Sequence, residues 1–219
     1  MQKSVEILKS HLKSNNLKGI ALDIDETLSW TIGWWVERMQ KFFGNPENLT
    51  VVEMVEKYKL TQNVPYWQTK EALEWMEIHR EDNELQKDLP LIHSADNSVK
   101  EINKIIPILA YITVRPESVI TGTKEWLRKH GFPEAEIIAR PKIIAHNDGN
   151  RWKADVLEYL SPEIAGIIDD NPGVIENLNS NYKGKIFLFN NSITNHQENV
   201  ITCPNWQSVI KSIKSYFNK

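Results

Sequence analysis

The chain has 219 residues, of which 41% are hydrophobic and 25% charged, the composition of an ordinary globular protein long enough to bury a sizeable core. Its formal charge of −3 provides no global field to attract nucleic acid or an anionic membrane. Cys203 is the only cysteine, which excludes an internal disulfide and a multi-cysteine zinc site, and the six histidines show no metal-ligand spacing.

The N-terminus, Met1 to Leu8, carries charge where a secretory signal needs an apolar run, and no apolar stretch approaches the roughly 20 residues that cross a bilayer. A reducing cytoplasm is the expected location, and without secretion the sequons at Asn48 and Asn190 carry no meaning. Residues 4–16 have the spacing of an amphipathic helix, with Val5, Leu8 and Leu12 on one side. A strand is expected over Gly19–Ile24. It leads into Asp23 and Asp25, two positions apart and followed by Thr27. Residues i and i+2 of a strand share a face, so the two carboxylates start out pointing the same way, at a cost unless a cation or proton lies between them. Such a pattern arises by chance in about one chain in 20 of this length, so it needs company to carry meaning.

From Trp30 to about Lys104 the texture changes, and segments have helical spacing. Trp35, Met39 and Phe42 recur at i, i+4 and i+7, and Val51, Val55 and Tyr58 do the same after the cap candidates Asn48 and Thr50. Pro65 is expected to open a longer helix with Tyr66, Leu73 and Met76 toward a core, and Asp96 to cap a short helix through Ile105. No strand is expected here, so the segment reads as an all-helical insertion of about 75 residues.

Beyond Pro107 strands and helices alternate. Strands are expected at Ile108–Val114, Ile137–Ala139, Ile164–Ile168 and Lys185–Phe189. Helices are expected from Pro116 to His130, Trp152 to Leu160, Pro172 to Asn181 (with Val174, Ile175 and Leu178 buried) and Trp206 to Phe217. This alternation implies an α/β fold, a Rossmann-like parallel sheet with helices on both faces. Sites in such sheets lie at the carboxyl ends of the strands. There the sequence places Asp23 and Asp25, then Thr113 and Arg115, then Asp169 and Asp170, with Lys153 opening the helix before the last pair. Crowded carboxylates call for a hard, oxygen-binding cation such as Mg²⁺, while Thr113, Arg115 and Lys153 suit a phosphate. Taken singly each is ordinary: a strand-end hydroxyl, a surface arginine, a solvated lysine, a helix cap.

In this order and on these elements they resemble the haloacid dehalogenase superfamily. Its four motifs match Asp23/Asp25/Thr27, Thr113, Lys153 and Asp169/Asp170, with Lys142 as a rival third motif. The resemblance covers about residues 17–28 and 106–203, and the helical insertion stands where that superfamily carries a C1-type cap. It implies a core domain over 1–29 and 106–219 and a cap over 30–105. It further implies a Mg²⁺-dependent phosphatase: Asp23 as nucleophile, forming an aspartyl-phosphate, and Asp25 as the acid and base that moves protons. As an acid Asp25 needs a raised pKa, which burial or nearby carboxylates would supply. The metal would be held by Asp23, by Asp25 (through its backbone carbonyl) and by Asp169 or Asp170, and the phosphoryl group by Thr113, Arg115 and Lys153. An acid at Asp25 favours phosphate esters over carbon–halogen bonds. Capped members include 5′-nucleotidases acting on deoxynucleotides, so the expected partner is a small phosphorylated metabolite. The alternatives are a receiver-like phospho-acceptor domain and a phosphate-binding protein without turnover.

Trp30, Trp34, Trp35, Trp67 and Trp75 all lie in the insertion. Most are expected to fill the core of a small helical cap, and Trp30, Trp34 and Trp35, which follow the catalytic loop, are the candidates to face substrate.

Overall fold

The computed structural model describes residues 1–190 and 197–218. The sequon at Asn190 runs into residues outside that set. A six-stranded, all-parallel sheet forms the centre, in the order β3-β2-β1-β4-β5-β6. Its strands are β1 (Gly19–Leu22), β2 (Ile108–Pro116), β3 (Glu136–Arg140), β4 (Ile164–Asp169), β5 (Lys185–Phe189) and β6 (Val200–Cys203). Alternation along the strands feeds two cores. On one face Ile20, Leu22, Tyr111 and Phe187 pack against α6 (Ala95–Asn103), α7 (Ile120–Lys129) and α10 (Trp206–Phe217). On the other, Ala21, Ile112, Ile167 and Leu188 pack against α1 (Lys3–Ser14), α8 (Gly149–Leu160) and α9 (Pro172–Asn177). Among the described residues no helix is long and apolar enough to cross a membrane.

The chain between β1 and β2 is helical, as its spacing implies: α2 (Thr31–Phe43), α3 (Val51–Tyr58), α4 (Lys70–Arg80), α5 (Asn83–Lys87) and then α6. Packing divides these helices. Val36, Met39, Met54, Trp67 and Met76 make a separate core for α2–α4, whereas Leu85, Leu89, Val99 and Ile102 join the sheet's own core. Thr50 caps α3 through a reciprocal capping box with Glu53, worth about 0.5–2 kcal/mol.

Several boundaries differ from those read in the sequence. Strand β1 stops at Leu22, because the chain turns sharply afterwards, with Glu26 at a positive φ of 55°. Pro65 opens only one 3-10 turn, and α4 starts five residues later under a Thr69 cap. Ser94, not Asp96, precedes α6, and Asp96 instead lies in its first turn, paired with Lys100. Helix α9 ends at Asn177 rather than Asn181, and α5 and β6 were not anticipated at all. Leu73 is exposed rather than turned to a core, and Phe42 is exposed as well: the helical stripe is wider in sequence than the small core of α2–α4 can cover.

Candidate active site

Strand order brings the acidic and basic residues together. Strand β1 lies between β2 and β4, so the residues that follow β1 meet the carboxyl ends of both neighbours. The Asp23 N–H donates to the Ile168 carbonyl at 2.9 Å, which fixes Asp23 beside Asp169. Carboxylate oxygens of Asp23, Asp169 and Asp170 lie within 4.8 Å of one another. Lys153 reaches them from α8. Its Nζ lies 2.7 Å from Asp23 Oδ1 and donates to Asp169 Oδ2 at 2.8 Å. Helix α8 can come this close because its first residue is Gly149: a Cβ there would stand 2.3 Å from Val114 Cγ1 on β2. Lys153 is buried, while Lys142 is exposed on the loop after β3. The geometry therefore puts Lys153, not its rival, among the carboxylates.

Each Asp169 oxygen already accepts a bond from within the protein, Oδ2 from Lys153 at 2.8 Å and Oδ1 from the Asn171 N–H at 2.9 Å. Asp170 instead faces a cavity of about 320 Å³, which Asp169 does not line; Asp23, Asp25 and Lys153 line it too, and Ile32, Trp35, Leu60 and Met76 roof it. Thr27 Oγ1 donates to Asp170 at 3.4 Å. Thr113 is buried at the same sheet edge, and its hydroxyl accepts the Arg115 N–H at 3.2 Å.

Asp25 is set apart from that trio. The carboxylate is gripped by Arg115, whose Nε donates to both oxygens at 3.0 Å and whose Nη2 donates to Oδ1 at 2.7 Å. Ser29 and Thr31 hydroxyls donate to the same carboxylate, and Arg115 also bonds Ser29 and Thr123. Burial pushes the Asp25 carboxyl up, but the Arg115 charge, its hydrogen bonds and that of Thr31 outweigh burial, so the net shift is downward. The raised pKa expected for a proton donor is therefore absent here. Arg115 thus pairs with Asp25 while lining the same cavity as Lys153 and Asp170.

The other carboxyls move the opposite way. Burial, then the charges of Asp169 and Asp25, push Asp23 up to about 7 against the pull of Lys153. Burial and the charges of Asp23 and Asp169 likewise raise Asp170. Burial pushes Glu26 up to about 8, although its carboxylate accepts the Ile32 N–H at 2.6 Å. That bond supplies an N-terminal acceptor for α2, which lacks one from Trp30. All three groups bind protons more tightly in the folded chain than in the unfolded one. The stability they contribute is present below pH 4 and is lost as pH rises through about 7 to 8. In EDTA the protein should therefore melt at a lower temperature at pH 8.5 than at pH 5.5, and Glu26→Gln should flatten that slope. Equal melting temperatures across the range would contradict the crowding of carboxyls.

Of the tryptophans, Trp35 lines the cavity; Trp30 and Trp34 do not. Trp34 is buried with the Arg38 guanidinium 3.7 Å above its ring, and Trp67 is fully buried with its Nε1 on the Gly44 carbonyl. Trp75 stacks on His79 at 4.0 Å and meets Trp35 edge-on. Sequence reading missed Ser29, Thr31 and Thr123, which fix Asp25 and Arg115, and the polar cavity residues Gln62, Arg80 and His146. Only Ser29 and Thr31 carried a signal, their closeness to Asp25. Thr123 lies eight positions after Arg115, on α7, and Gln62, Arg80 and His146 arrive from elements distant in the chain.

A family model described as "5' nucleotidase, deoxy (Pyrimidine), cytosolic type C protein" matches residues 16–216, nearly the whole chain. The chain belongs to this family. It is a phosphatase of the haloacid dehalogenase superfamily, related to the 5′-nucleotidases. Among solved structures, a haloacid dehalogenase-like family hydrolase from Xanthomonas campestris is similar, at 10% identity and a TM-score of 0.48, over 92% of this chain and 96% of that one. A comparison with curated proteins found no match. Within this nucleotidase-related family the receiver-like and non-catalytic alternatives are not favoured.

Proposed function

We propose that this protein is a Mg²⁺-dependent, cytoplasmic phosphatase that hydrolyses a small phosphate monoester, a (deoxy)nucleoside 5′-monophosphate, through an aspartyl-phosphate. The observation that carries this reading is the Asp23 carboxylate held 2.7 Å from Lys153 beside Asp170, at the floor of a cavity walled by Ile32, Trp35, Leu60 and Met76. Asp23 attacks phosphorus, and the bond from phosphorus to the ester oxygen breaks as the new bond forms. Asp25 supplies a proton to the leaving oxygen. It then takes one from the water that attacks the acyl phosphate, which frees phosphate and restores Asp23. Before the first of these steps Asp25 must be protonated, so Arg115 acts as a positioning residue whose grip on Asp25 has to slacken when substrate enters.

Lys153 neutralises charge on Asp23 and the transferring group, Asp169 orients Lys153, and Thr113 takes the second phosphate-donor role that the resemblance implies. The all-oxygen set of Asp23 and Asp170, joined by the Asp25 backbone carbonyl, fits Mg²⁺. The raised pKa values of both carboxyls mark an excess of negative charge that a cation would relieve. When bound, Mg²⁺ supplies charge neutralisation and polarises a phosphoryl oxygen. Asp170 is the direct ligand in this reading, because both oxygens of Asp169 are already engaged. The cap consists chiefly of α2–α4, within the boundaries 30–105 set against a core of 1–29 and 106–219.

Apolar residues and the Trp35 ring on the cap side give a nucleobase a surface to stack on, where each aromatic contact contributes about 1–3 kcal/mol. The test is a panel of nucleoside monophosphates and sugar phosphates, assayed for phosphate release with Mg²⁺ and with EDTA. Nucleoside 5′-monophosphates should exceed sugar phosphates by about 10-fold or more in kcat/KM, a difference of one stacking contact. EDTA should abolish turnover. Equal rates on all small esters would remove the nucleotide, and turnover in EDTA would remove the metal.

A further inference from the structure

A polar side chain in the cavity wall has no partner within the protein. Gln86, on α5, lines the cavity and is only 5% exposed. Its side-chain amide makes no hydrogen bond among the described residues, yet neither amide atom is sealed in. A buried amide without partners costs free energy until something pairs with it. The other polar groups of the wall outside the catalytic set are answered or open to water. Gln62 accepts from Thr61 at 3.2 Å, Arg80 pairs with Glu77 at 2.7 Å, Asn150 is half-buried and His146 is exposed.

Packing holds Gln86 in place. Asn83, on the same helix, donates to the Ser118 carbonyl and accepts the Gly122 N–H, both at 2.7 Å. Gly122 belongs to α7, and a Cβ there would stand 2.1 Å from the Asn83 carbonyl oxygen, so α5 sits directly on α7. Helix α7 also carries Thr123, which accepts from the Arg115 guanidinium that grips Asp25. Thus α5 is anchored to the element that steadies the Asp25–Arg115 pair, and in the mechanism above that pair serves the leaving oxygen. Leu85, beside Gln86, belongs to the hydrophobic core against which Trp35 packs. The ring offered to a base and the unpaired amide are therefore held by one core and line one cavity.

We propose that Gln86 is a specificity residue, and that its amide pairs with the edge of the base that stacks on Trp35. This rests on the nucleotide reading above and deepens it. A carboxamide presents a donor and an acceptor side by side, as a base edge does, so both halves are satisfied at once. A sugar hydroxyl offers a single oxygen and leaves half of the amide unmatched. Stacking on Trp35 favours any flat ring; the amide adds the requirement for a hydrogen-bonding edge.

The experiment compares the common deoxynucleoside 5′-monophosphates with deoxyribose 5-phosphate, on the full chain with Mg²⁺. The preferred nucleotide's advantage in kcat/KM should shrink by about 10- to 100-fold in Gln86→Met, the scale on which a buried group left unpaired acts. Gln86→Ala, which cannot obstruct the base, should reproduce that loss. A dideoxynucleotide with the same base should show it too, since the base and not the sugar hydroxyl is the partner. In EDTA, Gln86→Met should melt no lower than the parent, because no bond is lost. A lower melting temperature would make the amide a structural group and overturn the proposal. The same ligands are titrated calorimetrically into Asp23→Asn, with and without Gln86→Met, so that preference is read without turnover. A preference in binding that Gln86→Met erases, with no turnover of any ester by the parent, would overturn the phosphatase reading and leave the Gln86 site standing. A nucleotide advantage that survives Gln86→Met, one that disappears with the sugar hydroxyl, or none at all would overturn the Gln86 site alone.

Discussion

Asp23→Asn is expected to lower phosphate release by at least about 10⁴-fold, the scale on which removing a nucleophile acts. Asparagine keeps the shape of the side chain and one oxygen for Lys153, but its neutral amide is too poor a nucleophile to attack phosphorus. The same change should leave the fold as stable as before, or more so. Burial and neighbouring carboxylates push Asp23 up to about 7, which means its ionised form is held at a cost in the metal-free chain. Removing that charge relieves repulsion from Asp169 and Asp25. The expected signature is thus opposed: activity lost, melting temperature in EDTA unchanged or raised. The stabilisation by Mg²⁺ should shrink as well, because a ligand is gone. Turnover that survives Asp23→Asn would exclude Asp23 as nucleophile, whatever else the site contains.

Lys153→Met should damage both stability and activity. The ammonium is 2% exposed and bridges two buried carboxylates at 2.7 and 2.8 Å. Methionine fills a similar volume but leaves Asp23 and Asp169 facing each other without a cation. Breaking a buried ion pair from one side costs about 3–5 kcal/mol. Catalysis should fall a further 10²- to 10³-fold, in the range of about 3–4 kcal/mol for one lost electrostatic donor. Mg²⁺ should recover more stability in this variant than in the parent, since it brings positive charge to the same carboxylates. Lys142→Met is the contrast. Lys142 is exposed, so its loss should change stability by no more than about 0.5 kcal/mol. Comparable losses in the two variants would contradict the placement of Lys153. Denaturant unfolding in EDTA and in Mg²⁺ measures the first quantity, and kcat on a nucleoside monophosphate the second.

Much of the α/β core was legible because buried parallel strands leave a simple trace. Ile108–Val114 and Lys185–Phe189 are near-continuous apolar runs, and both are strands. What escaped had no such trace. Strand β6 is only four residues long and its two middle residues are partly exposed, and α5 is a five-residue helix set by an Asp82 cap. Leu73 and Phe42 follow a helical period yet stay in water, because period alone does not say how many sides of a helix a small core can cover.

For the site, local sequence determined which chemistry is present. Carboxylates at Asp23, Asp25, Asp169 and Asp170, with Lys153 a short helix and loop before the last pair, supply the charges, and strand alternation says they gather at one sheet edge. Tertiary structure alone decided how these groups divide. Asp25 starts two residues from Asp23, but the sharp turn after Leu22 and the fork of Arg115, ninety positions away, draw it out of the carboxylate cluster. Lys153 is chosen over Lys142 by the close approach of Gly149 to Val114. Arg80 and His146 reach the same cavity only through packing. Sequence carries the identity of each charge; which charge answers which depends on distances that the chain acquires only when it packs.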